Sequence, residues 1–269
     1  MGIVNLCADS FSGDGVENVE LALNRARQMV ADGADIIDVG GESAGTKRAA
    51  MSEEEEIGRL LPFVQRFQAE AASFPPAEPQ QLSPPLLSIN TWRPTVARAV
   101  LQTGGDLLND IGGLTTDENA RICAGTGTAL LIMHTVGQPK VPHLHVHYDD
   151  IVATLERFFE EKIAMAESAG VPRESIVIDP GIDFAKQRDD NLRIYRELDR
   201  LQRFGRPILL PVSRKTVIGD VLGLPPAERD AGTVACMMSG LLRGADIFRV
   251  HNVRAAYQAV RVASAVLGA

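Results

Sequence analysis

Short runs of Ile, Leu and Val alternate along the chain with longer stretches whose apolar positions recur about every 3.6 residues. The short runs predict strands at Gly2–Leu6, Asp35–Val39, Leu86–Asn90, Asp106–Asp110, Ala129–Met133, Ser175–Asp179, Pro207–Val212 and Asp246–Val250. Most are nearly continuous in aliphatic residues, as strands covered on both faces are. Between them, Val19–Ala31, Ser52–Gln68, Ile151–Ala169 and Asn191–Phe204 carry the spacing of amphipathic helices. Glycine stops several helices just before the next strand, at Gly33-Ala34-Asp35, Gly104-Gly105-Asp106 and Gly244-Ala245-Asp246. Ser52 ahead of Glu53–Glu56 reads as a helix start, with Glu55 completing a capping box. Eight βα units in about 250 residues predict an α/β protein, a single (β/α)8 barrel over residues 1–269. No Gly-x-Gly-x-x-Gly opens the first helix, which disfavours a doubly wound dinucleotide-binding sheet.

One stretch breaks the rhythm. Residues 74–85 hold five prolines in a dozen positions and can be neither helix nor central strand. The barrel pattern resumes at once beyond it, so it predicts a surface loop rather than a domain linker. Because it leads into a strand, it belongs to the face opposite the βα loops.

Composition narrows the classes of function. Lys and Arg number 27 against 35 Asp and Glu, for a net charge of −8, and no basic block stands out. That argues against a nucleic-acid partner, although a local anion site remains compatible with an acidic chain. The longest apolar runs fall short of the ~18 residues that a spanning helix requires, so no membrane partner is expected. The opening residues read as strand, not as a leader. Cys7, Cys123 and Cys236 form neither a disulfide framework nor a zinc pair, which fits a cytoplasmic protein.

The polar residues collect where each apolar strand ends. In chain order these are Asn5, Asp38, Asn90, Asn109-Asp110, His134 after Met133, Asp179, Ser213-Arg214-Lys215, and Arg249 with His251. In a parallel barrel all eight C-terminal ends converge on one mouth, where active sites of this fold lie. A single Asp or Asn there commonly just caps the following helix; the whole set together outweighs that reading. Asp38, Asn90, Asn109 and Asp179 supply amide and carboxylate groups suited to a flat nitrogen heterocycle. Lys215, Arg214, Arg249 and His251 follow strands seven and eight, where such barrels often hold phosphate. The plainer alternative is that Arg249 and Lys215 pair with acidic neighbours.

These residues resemble the dihydropteroate synthases of folate biosynthesis over nearly the whole chain. The resemblance rests on Met1-Gly2-Ile3-Val4-Asn5 with Asp9-Ser10-Phe11-Ser12, and on Ala34-Asp35-Ile36-Ile37-Asp38-Val39-Gly40-Gly41-Glu42-Ser43. It continues through Asn109-Asp110, Met133-His134, Asp179-Pro180-Gly181-Ile182, Ser213-Arg214-Lys215 and Arg249-Val250-His251. It implies a homodimeric TIM barrel that joins 6-hydroxymethyl-7,8-dihydropterin diphosphate to 4-aminobenzoate and releases diphosphate. By motif, Asp38, Asn109, Asp179 and Lys215 would hold the pterin ring, with Met133 and Phe184 packed around it. Asn5 would contact the diphosphate and its Mg²⁺, Arg249 and His251 the phosphate oxygens, and Ser213 with Lys215 the aminobenzoate side. Lys215, Arg249, His251 and Asp179 would carry the catalysis. The implied chemistry is dissociative: diphosphate leaves first, and the arylamine captures the pterin methylene cation.

The chain departs from the family in several places. Strand three reads Ser88-Ile89-Asn90-Thr91 where Asp-Thr is usual, so Asn90 would bind the pterin without a charge; restoring Asp is expected to tighten that binding. The second loop reads Ser43-Ala44-Gly45-Thr46-Lys47-Arg48 in place of Ser-Thr-Arg-Pro-Gly, the first has Cys7-Ala8 in place of Thr-Pro, and the sixth has Asp183 and Ala185 where glycines are common. The chain also starts at strand one, without the short segment that often plugs the barrel's lower end. These changes leave two alternatives open: a catalytically silent pterin-binding paralogue, and a methyltetrahydrofolate-dependent methyltransferase. Lys215 argues against the second, since such enzymes usually place Asn there. His143-Leu144-His145-Val146-His147 resembles a metal clip, but a solvated loop is the favoured reading.

Overall fold

The computed structural model describes residues 1–6, 18–42, 50–137, 139–141, 143 and 146–268. Its strands are β1 (Gly2–Asn5), β2 (Ile36–Gly40), β3 (Leu86–Asn90), β4 (Leu107–Asp110), β5 (Ala129–Met133), β6 (Ile176–Asp179), β7 (Leu209–Pro211) and β8 (Ile247–Arg249). Each lies within a residue or two of its sequence-predicted span. The first six form one parallel sheet in chain order, and β7 pairs with β8. Two bridges close the ring: Ile178 with Ile208 joins β6 to β7, and Gly2 with Val250 joins β8 back to β1. The second is drawn shut by Ile3 N–H donating to Val250 O at 3.2 Å and Val250 N–H to Met1 O at 3.0 Å. The fold is a (β/α)8 barrel.

The outer layer is α1 (Val19–Ala31), α2 (Glu53–Glu70), α3 (Pro94–Leu101), α4 (Glu118–Thr126), α5 (Ile151–Ser168), α6 (Arg188–Arg196), α7 (Thr216–Leu222), α8 (Asp230–Leu241) and α9 (Val253–Leu267). Ser52 caps α2 with the expected box: its Oγ accepts from Glu55 N–H, and Glu55 Oε2 accepts from Ser52 N–H, both at 3.2 Å. One helix differs from its sequence-predicted span. The periodicity over 191–204 divides into α6, which begins earlier at Arg188, and a 3₁₀ turn over Leu198–Phe204. Residues three apart stay nearly in line in both helix types, so the apolar spacing does not mark the break. The proline-rich stretch lies at the lower end, where Gln81 Nε2 donates to Val30 O at 3.0 Å and Ala34 O at 2.8 Å, at the foot of α1.

Strand alternation explains how near-continuous apolar runs also build a polar mouth. Every second side chain faces the helices, among them Ile37, Val39, Leu87, Ile89, Leu108, Leu130, Ile132 and Ile178, and these join the main core. The intervening residues face inward. Leu107, Leu131, Val177 and Leu209 pack with Met133, Met1 and Ile247 in a separate inner cluster. Two residues on from Leu107, Val177 and Ile247 stand Asn109, Asp179 and Arg249. The inner face thus changes from aliphatic below to polar above within one step of the pleat.

Candidate active site

Asp38, on β2, is wholly buried. Parallel register sets it beside Ser88, one layer below the pairing of Gly40 with Asn90. Ser88 Oγ donates to its Oδ1 at 2.6 Å and Asn109 Nδ2 to the same oxygen at 3.1 Å. Asn90 Nδ2 donates to Oδ2 at 3.3 Å, and Arg249 Nε and Nη2 both lie 2.7 Å from Oδ2. Three strands, β3, β4 and β8, therefore fasten onto the one carboxylate that β2 supplies. Arg249 does take an acidic partner, as the plainer sequence reading allowed. Asp38 is covered by its own donors and orients them.

Around this hub the other sequence-predicted residues converge. Asn109 is 2% exposed, and its Oδ1 is buried with no protein donor, while its Nδ2 is spent on Asp38. An orphaned acceptor of this kind costs free energy until a ligand N–H meets it. Asp179 closes β6, with Oδ1 accepting Gly181 N–H at 2.7 Å. Burial pushes its carboxyl up to about 6, against the pull of Lys215, Lys186 and Arg249. Lys215 Nζ donates to Ile182 O at 2.8 Å and stands 4.9 Å above the Phe184 ring, a cation–π contact. Burial lowers its pKa, and Asp183 and Asp179 oppose that. Met133 and Phe184 belong to the inner apolar cluster below. Ser213 Oγ accepts His251 N–H at 3.2 Å and lies 2.8 Å from His251 Nδ1. Asn5 ends β1, half-buried.

Three predicted members of the ring turn elsewhere. Arg214, with φ +56°, reaches Asp230 at the start of α8, Nε to Oδ1 2.9 Å, and so leaves the phosphate cluster. Asp110 follows Asn109 on the opposite pleat and accepts from Gly112 N–H at 2.7 Å and Asn119 Nδ2 at 2.9 Å. His134 packs edge-on against Phe158, centroids 4.8 Å apart, and burial with the neighbouring Lys186 charge drives its pKa down to about 2. Cys7, the Asp9–Ser12 motif, the Ser43–Arg48 loop segment and His145 lie outside the described residues.

Sequence reasoning missed Lys186. Its Nζ is buried and bonded to Gly181 O at 2.9 Å, Phe184 O at 3.0 Å, His134 O at 3.4 Å and His134 Nδ1 at 2.9 Å, tying the fifth and sixth loops together. Burial brings its pKa down to about 7. The one signal was a lysine five residues beyond the Asp179-Pro180-Gly181 motif. An ionic cluster at the roots of the second, third and fifth loops was also missed. Arg93 bonds Glu42 Oε2 at 2.7 Å and the wholly buried Glu56, and Lys140 Nζ lies 3.3 Å from Glu42 Oε1.

Among the described residues, no group of three or more His, Cys, Asp or Glu is placed to hold a metal ion.

A profile of the family described as pterin binding enzyme matches residues 1–251. This chain belongs to the pterin binding enzyme family. Within it the chain stands with the dihydropteroate synthases, transferases of folate biosynthesis. It is 36% identical to the dihydropteroate synthase of Escherichia coli (strain K12), covering 100% of this chain and 92% of that one. It is 38% identical to the dihydropteroate synthase of Synechocystis sp., covering 99% of this chain and 89% of the relative. The Yersinia pestis dihydropteroate synthase solved with a sulfonamide drug superposes with a TM-score of 0.89 at 34% identity, covering 100% of this chain and 93% of that chain. The Xanthomonas albilineans enzyme in complex with 7,8-dihydropteroate gives a TM-score of 0.84 at 35% identity, with the same coverage.

Proposed function

We propose that this member of the dihydropteroate synthases joins 6-hydroxymethyl-7,8-dihydropterin diphosphate to 4-aminobenzoate with the mouth residues just described. The observation that carries the proposal is the unmet Oδ1 of Asn109 at the same barrel mouth as Asp179 and Lys215: a buried acceptor, a carboxylate and a cation over an aromatic ring. That set complements a flat heterocycle with N–H donors on one edge and acceptors on another. Asn109 Oδ1 and ionised Asp179 accept from the ring, Lys215 donates to it, and Met133 and Phe184 pack its faces. Asp38 holds Asn90, Asn109 and Arg249 in place for this task.

Arg249 and His251 face the diphosphate. The C–O bond to the pterin methylene breaks with its electron pair on the departing diphosphate, and the arylamine nitrogen then attacks the methylene cation and loses a proton. Cationic groups aimed at the leaving oxygens lower this barrier most, and the apolar floor keeps water from the cation. Asn5, with the substrate's own oxygens, would hold Mg²⁺, which supplies further charge neutralisation on the diphosphate.

The second copy of a homodimer fits the exposed apolar face of α8 and α9, where Leu242, Val262, Val266 and Leu267 lie open along a groove lined by Val234, Met238 and Ala259. No described helix is long and apolar enough to cross a membrane. A cytoplasmic setting, where the three cysteines stay reduced, suits this reading.

The test is to incubate purified protein with the pterin diphosphate, 4-aminobenzoate and Mg²⁺. Dihydropteroate and diphosphate in equal amounts are expected. Tight pterin binding without turnover would instead support the silent paralogue.

A further inference from the structure

The sixth βα loop carries two left-handed residues that are not glycine, Asp183 at φ +68° and Ala185 at φ +51°. Glycine adopts this backbone without strain, and Asp is among the few side chains that tolerate it. Asp183 is held there by bonds at both of its ends. Its N–H donates to Asn191 Oδ1 at 2.9 Å, and its carboxylate accepts from Asn191 Nδ2 at 3.2 Å and Val217 N–H at 3.3 Å, and also from Thr216 N–H. Thr216 and Val217 directly follow Lys215, so the carboxylate sits where the seventh loop turns into α7. Among the charges acting on Lys215, that of Asp183 is the leading attraction.

The other described cations near the mouth are engaged as well. Arg249 is paired with Asp38, Arg214 with Asp230, Arg93 with Glu42 and Glu56, and Lys140 with Glu42. Lys186 is bonded to carbonyl oxygens and His134. An arylamine bearing a carboxylate and approaching the Lys215 side therefore meets donors that already serve a fixed carboxylate, together with the repulsion of that charge. An arylamine with a neutral amide in the same place meets no such repulsion.

We propose that Asp183 is a specificity-determining residue that weakens selection for an anionic arylamine, so that this chain distinguishes little between 4-aminobenzoate and its uncharged amide. The inference deepens the reading given under the proposed function and rests on it for the identity of the second substrate. Its test is calorimetric titration of 4-aminobenzoate and 4-aminobenzamide into the full chain with 6-hydroxymethylpterin and diphosphate present, a mixture that cannot react. In Asp183→Asn, the ratio of the two affinities is expected to shift about tenfold toward the carboxylate. Asp183→Gly, which also relieves the backbone, is expected to shift it the same way. A ratio within twofold of the unsubstituted chain in both variants would overturn the proposal. So would a shift in Asp183→Gly that Asp183→Asn fails to reproduce, because a lost loop clamp rather than lost charge would then be at work. Failure to form dihydropteroate from any arylamine would sink the reaction instead, while the affinity ratio would still report on Asp183.

Discussion

Arg249 Nη2 lies 2.7 Å from Oδ2 of Asp38, an ion pair that spans the barrel from β8 to β2 across 211 residues of sequence. Asp38 is wholly buried, whereas the Arg249 side chain keeps 22% of its exposure. The pair has an inner half that cannot be solvated and an outer half that can turn toward a ligand. Arg249→Gln should therefore cost about 3 kcal/mol of stability, the lower end for broken buried pairs because of that residual exposure. Urea unfolding of Arg249→Gln, Asp38→Asn and the double variant would show it. The double variant is expected to be more stable than the sum of the single losses implies.

Lys215→Ala removes the cation that stands over Phe184 beside Asp179. Loss of a charged pocket group of this kind should lower kcat/KM by more than about 2 kcal/mol, roughly thirtyfold. Steady-state kinetics decides the point, and near-normal activity would remove Lys215 from the site.

Asn90 donates to Asp38 at 3.3 Å, and this bears on the expectation that restoring Asp would tighten pterin binding. Asn90→Asp would bring two carboxylates into contact in the free protein, and one would hold its proton well above the usual carboxylate range. A raised acid stabilises the fold only while protonated. Thermal unfolding should therefore show Asn90→Asp losing stability, relative to the unsubstituted chain, as the pH rises from about 4 upward. Any gain in pterin affinity has to overcome that cost.

Asp179 carries a similar signature already. Its carboxyl is raised from 3.8 to about 6, so the folded chain binds the extra proton between those values and stability falls as pH climbs through the window. Asp179→Asn should flatten that part of the pH–stability curve. Lys186 acts at higher pH: it is lowered from 10.5 to about 7, so its cost is full below 7 and fades as pH rises toward 10.5. Denaturant midpoints measured across pH 4 to pH 10 would resolve the two slopes.

The strands and the mouth were legible because two simple periodicities coincide there. A run such as Leu107-Leu108-Asn109 states at once that it is strand, that Leu108 faces the helices, and that Asn109 shares its face with Leu107. What the runs could not show is which neighbour a polar tip would choose. Arg214 and Lys215 are adjacent in sequence, yet the positive φ of Arg214 sends its side chain to Asp230 while Lys215 stays in the site. Lys186 was hidden for a different reason: its role depends on carbonyls of two loops meeting around one ammonium, and main-chain acceptors leave no mark in a sequence. The break after α6 was hidden because helical and 3₁₀ spacings look alike over a few residues.

The most direct measurement is a crystal structure of the chain with 6-hydroxymethyl-7,8-dihydropterin diphosphate bound. The account places ring N–H groups on Asn109 Oδ1 and Asp179, with the diphosphate turned toward Arg249 and His251. A pterin seated away from Asn109 and Asp179, or a diphosphate that touches neither Arg249 nor His251, would contradict it.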